Sequence, residues 1–156
     1  MRAFFNAALL LSLVTSANVF AEVRLPKLLS DNLVLQRNTE NKLWGWADKG
    51  ESVSVFLNGK LQGNTVTEEN DWSIQLASMP AGGPHTLEVK GRNSITLSNV
   101  MFGDVWVASG QSNMQTTMQR TAEMFPNAIA EANHPNLRQF TVPRTMGFKG
   151  PEKDFT

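Results

Sequence analysis

The chain has 156 residues, with 14 basic side chains balanced by 14 acidic ones and no cysteine. A balance this even leaves no electrostatic footprint for nucleic acid or an anionic membrane surface. Without cysteine there is no disulfide, thiol catalysis or cysteine zinc site, and two histidines far apart in sequence, His85 and His134, give little support for a metal centre.

Residues 1–21 read as a secretory signal peptide. Arg2 supplies the positive start, residues 7–14 are apolar apart from Ser12, and Val19-Phe20-Ala21 precedes a cut after Ala21. The competing reading is a membrane anchor, but an apolar run of roughly 8 residues is far short of the roughly 20 that cross a bilayer. The expectation is export with cleavage to a secreted or periplasmic chain that starts at Glu22 and has no membrane segment.

From residue 22 to about residue 98 the pattern is of short strands divided by turn residues. The first candidates are 32–36, 42–47, 52–58 and 60–66, followed by 72–76, 86–89 and 94–97. Asn58-Gly59 is a two-residue hairpin signal, because both central positions of a type I′ turn need positive φ. Asp48-Lys49-Gly50 marks the preceding turn, and Met79-Pro80-Ala81-Gly82-Gly83-Pro84 separates two later strands and leaves His85 in a turn. In 52–57, Val53, Val55 and Leu57 alternate with Ser52, Ser54 and Phe56, which predicts one dry face. About seven such strands predict an antiparallel β-sandwich over residues 22–100. Trp44, Trp46 and Trp72 either pack its core, the commoner use of large aromatics, or present sugar-stacking faces.

Residues 103–114 read Gly-Asp-Val-Trp-Val-Ala-Ser-Gly-Gln-Ser-Asn-Met. Val105-Trp106-Val107-Ala108 has the character of a short buried strand. Gly110 then permits a sharp turn, and Ser112 falls where a chain leaving such a strand projects a side chain at its carboxyl edge. A serine presented there can act as a nucleophile with following amides directed at a developing oxyanion, although a serine near glycine is more often only a turn residue. The Gly-x-Ser-x-Gly elbow of α/β-hydrolases is absent, since Met114 holds its last position. Beyond this, 122–132 carries helix formers around Pro126, with a helix starting at residue 126 or 127, and 137–142 reads as a second strand. Strand, helix and strand together predict a β-α-β unit with a parallel sheet.

The segment 103–114 resembles the first motif of SGNH-type serine esterases, in the Gly-Gln-Ser-Asn-Met form of the sialate O-acetylesterase family. Residues 25–37, Leu43-Trp44-Gly45-Trp46-Ala47 and Gly50-Glu51-Ser52-Val53 resemble the family's amino-terminal β-domain, and the likeness runs almost continuously over 25–142. Asn70-Asp71-Trp72 departs from it where an Asp-Gly-x-Trp hairpin is common. The resemblance implies that Ser112 is the nucleophile, that Gly110, Gln111 and Asn113 support the turn and oxyanion site, and that neither metal nor cofactor takes part. The family's Asp and His come from a carboxyl-terminal motif not visible in this chain. His134 falls at the amino edge of the second expected strand, opposite to Ser112.

The expected fold class is therefore mixed: the sandwich, followed over residues 101–156 by the incomplete start of an α/β SGNH-type esterase domain. The expected function is hydrolysis of O-acetyl groups on sialic acids or related glycans, with this chain inactive alone. The competing reading is a non-catalytic carbohydrate-binding β-module.

Overall fold

The computed structural model describes residues 22–143, 150 and 153–154. The signal-peptide stretch lies outside the described residues. Seven strands follow in chain order: β1 (Val34–Gln36), β2 (Asn41–Trp46), β3 (Ser52–Leu57), β4 (Lys60–Val66), β5 (Asp71–Leu76), β6 (Gly82–Lys90) and β7 (Ser94–Gly103). They form a five-stranded sheet in the order β1-β7-β6-β3-β4 and a two-stranded sheet, β2-β5.

Period-two alternation decides which faces are dry. Val53, Val55 and Leu57 of β3, Leu43 of β2, and Trp72, Ile74 and Leu76 of β5 are buried in one cluster with Leu87, Val89, Val100 and Phe102. Both sheets therefore turn one face to a shared interior. Burying each such side chain contributes about 1.5–3 kcal/mol, so this cluster dominates the stability of the region. The two sheets approach closely at Gly63, where a Cβ would meet Ile74 Cγ2 at 2.9 Å. A side chain there would push the sheets apart.

Turn chemistry follows the sequence closely at the β3–β4 hairpin. Asn58 and Gly59 adopt φ of 50° and 78°, as a two-residue turn of this hand requires. The preceding turn is held by a buried carboxylate. Glu51 accepts hydrogen bonds from the Asp48 and Arg92 amides at 3.3 and 2.8 Å, and its own amide donates to Thr67 Oγ1 at 3.0 Å. Arg92 also pairs with Asp48 at 2.8 Å, so one cluster ties three turns together.

Several expectations need correction. β1 and β7 are paired in parallel, with Val34 opposite Met101, so the large sheet is not wholly antiparallel. β7 continues to Gly103 because residues beyond Leu97 find β1 and β6 as partners. β6 begins at Gly82 instead of after Pro84, and irregular pairing between Gly82 and Leu87 accommodates a proline that has no N–H to donate. His85 is consequently a strand residue and not a turn residue. The expected strand at 105–108 is absent, and Trp106 and Val107 are 88% and 93% exposed. No described strand lies beside it to pair its backbone or cover its side chains, which a buried strand needs. Residues 137–142 form no strand for the same reason, and the expected β-α-β unit does not form among the described residues. Its helix is one turn, α1 (Ala128–Glu131), beginning just after the predicted start.

Candidate active site around Ser112

β7 delivers the chain to the site along the edge shared with β1. Three contacts fix the point of departure: the Arg37 amide donates to the Gly103 carbonyl at 2.9 Å, the Arg37 guanidinium pairs with Asp104 at 2.9 Å, and the Val105 amide donates to Gln36 Oε1 at 2.8 Å. Exposed pairs of this kind contribute little stability, but together they set the direction in which the chain leaves. Sequence patterning did not single out these partners, since the Arg37 and Asp104 pairing is visible only once β1 lies beside β7.

Downstream, Gln111 is extended at φ −82° and ψ −167°, and residues Ser112–Gln115 make one turn of 3₁₀ helix. Gly110 stands where Met114 folds back, and a Cβ at Gly110 would lie 2.6 Å from Met114 Cγ. The Met114 amide closes the turn onto the Gln111 carbonyl at 2.9 Å. Gly110, Gln111, Ser112 and Asn113 are consecutive in this turn, where Gly110 serves by lacking a side chain and not by adopting positive φ. Gln111 makes no side-chain cap. The first amides of the turn, those of Ser112 and Asn113, consequently have no partner among the described residues, the usual condition at a helix start. Ser112 is exposed, and its hydroxyl has no described partner.

The two histidines lie elsewhere. His85 Nδ1 is 2.8 Å from Asn58 Nδ2, and its ring meets Phe102 edge-on at 5.5 Å, so it braces the β3–β4 hairpin against β7. His134 lines an open hollow with Met118, Ala128, Glu131, Ala132 and Leu137, which includes none of the motif residues. Neither is hydrogen-bonded to Ser112.

A second tie returns this segment to the β-sheet. Arg138 donates to the carbonyls of Leu33 and Asn99 at 3.2 and 2.5 Å and to Asn99 Oδ1 at 3.0 Å. The receiving corner is specialised: Asn32 and Asn99 both have positive φ and are joined through their side chains at 2.7 Å. Arg138 falls inside the stretch predicted as a strand, which hid its role as an anchor.

No family model matches the chain. A mouse sialate O-acetylesterase is 30% identical over 153 residues, covering 88% of this chain and 28% of the relative. The Pongo abelii sialate O-acetylesterase is 32% identical over 136 residues, with 79% and 26% covered. Among solved structures, a carbohydrate acetylesterase from Xanthomonas citri matches with a TM-score of 0.79 at 35% identity, covering 86% of this chain and 31% of that one. The chain spans about a quarter of the length of the curated relatives it matches. With the Gly-Gln-Ser-Asn-Met turn at the end of a β-rich region, the chain is similar over most of its length to one part of the sialate O-acetylesterases and of a carbohydrate acetylesterase.

Proposed function

We propose that this chain supplies the nucleophile of a carbohydrate esterase that removes O-acetyl groups from sialic acids or related glycans. The reading is carried by one observation: Ser112 is exposed at the first position of a tight turn whose leading amides are unpartnered among the described residues. The names of the relatives support the substrate class. In the mechanism, Ser112 Oγ attacks the acetyl carbonyl and loses its proton to a base, and the Ser112 and Asn113 amides face the developing oxyanion. Collapse expels the sugar hydroxyl and leaves an acetyl-serine, which water then hydrolyses. No described histidine or carboxylate is bonded to Ser112, so its hydroxyl stays protonated and the 156-residue chain alone turns over no ester.

We further assign residues 22–100 to a β-sandwich, residues 101–156 to the beginning of an SGNH-type esterase domain, and residues 1–21 to a cleaved export signal. In an esterase that carries this chain through the full family length, Ser112→Ala lowers kcat by several powers of ten, as loss of a triad nucleophile does. Near-normal turnover on an acetylated sialic acid in that variant would remove the mechanism.

A further inference from the structure

The small sheet carries two tryptophans that the core does not use. Leu43 and Gly45 of β2 are buried, which places Trp44 and Trp46 on its opposite face. Trp72 fills the interior, whereas Trp44 and Trp46 lie outside the buried cluster and outside the residues packed against it. Their rings are 5.4 Å apart and inclined at 82°, making a right-angled aromatic corner.

Strand pairing supplies polar groups to the same face. Trp46 is opposite Asp71, Trp44 is opposite Ser73, and Arg24 is bridged to Trp46 on its other side. Directly opposed residues share a face, so Arg24, Trp46 and Asp71 form one row, the backbones of its two outer residues about 10 Å apart. The Arg24 guanidinium lies 6.0 Å from the Trp46 ring centroid, and Arg24 makes no ion pair among the described residues.

We propose that this face is a separate binding site for a glycan bearing a carboxylated sugar. The apolar C–H surface of a pyranose packs into the indole corner, where half-buried aromatic area is already exposed to water. Arg24 takes the sugar carboxylate through its planar pair of donors. At the other end of the row, Asp71 and Ser73 accept and exchange hydrogen bonds with ring hydroxyls. The dipolar layout favours a sugar that is anionic at one end and hydroxylated at the other, and it does not depend on the reading of Ser112.

The test is a titration of the 156-residue chain with sialyllactose and, separately, with lactose, followed by calorimetry and saturation-transfer NMR. Sialyllactose binds more tightly than lactose, Trp44→Ala and Trp46→Ala each weaken it about tenfold, and Arg24→Gln abolishes the preference between the two sugars. Trp46→Phe keeps a ring and retains most of the binding, which separates loss of stacking from loss of fold. Ser112→Ala binds as the parent does, so failure of the esterase reading and failure of this site are told apart. Absence of binding, binding unchanged in both tryptophan-to-alanine variants, or equal binding of the two sugars would overturn the proposal, as would loss in Trp46→Phe.

Discussion

The residues up to Gly103 and those after it are held in place by different physics. Among the described residues, every buried apolar side chain of the core lies between Val23 and Phe102, whereas Val105, Trp106, Val107, Met114, Leu137 and Phe140 beyond it are exposed. The first region stands on its own interior. The second is positioned from outside, by Arg37 and Gln36 where it departs and by Arg138 and Asp154 where it returns. Stability and the candidate chemistry thus occupy different stretches of the chain, so substitutions in each should have different signatures.

The largest contrast is expected between two aromatic truncations. Phe102→Ala empties a site in the shared core and costs about 3–5 kcal/mol. Trp106→Ala removes a larger ring that is 88% exposed and changes stability by no more than about 0.5 kcal/mol. Urea unfolding of both variants checks this, and equal losses would show that the second region has an interior of its own. Glu51→Ala comes next. It leaves the Asp48 and Arg92 amides without their acceptor at a nearly closed site, and the expected cost is about 1–3 kcal/mol by the same measurement.

Arg138→Ala leaves the unfolding midpoint nearly unchanged but accelerates amide exchange across residues 105–138, because it releases one of the ties to the sheet and empties no site in the buried core. Hydrogen-exchange mass spectrometry reads this directly; unchanged exchange there would mean that the other ties suffice. The smallest effect concerns Asp31. The Ser98 amide and then its hydroxyl donate to its carboxyl and hold it below the ordinary value of 3.8. A depressed folded pKa means that the contribution is present above 3.8 and is lost as pH falls through the lowered value. The stability difference between the parent and Asp31→Asn should therefore shrink on acidification below about pH 4, in urea melts across pH.

These two regions also differ in how far the sequence revealed them. Alternation of Val53, Val55 and Leu57, together with Asn58-Gly59, was enough to place β3, β4 and the hairpin between them, because a local pattern and a local turn determine that geometry. Val105-Trp106-Val107 misled for the opposite reason. Its composition matches a buried strand, but burial depends on neighbours that the composition of one segment does not provide. The site motif was legible as residues, from Gly110 to Asn113, while the role of Gly110 required seeing Met114 fold over it. Arg138 and the Asn32–Asn99 corner were illegible because they join positions far apart in sequence.

The parallel pairing of β1 with β7 has a consequence for the order of assembly. Val34 waits for Met101, and the intervening strands are synthesised before that partner exists. Closing so long a loop is slow, and the local β3–β4 hairpin has time to form first. During vectorial synthesis, the edge strand β1 stays open until the last strand arrives. The ledge from which the Ser112 turn is launched is therefore the last part of the sheet to be laid down.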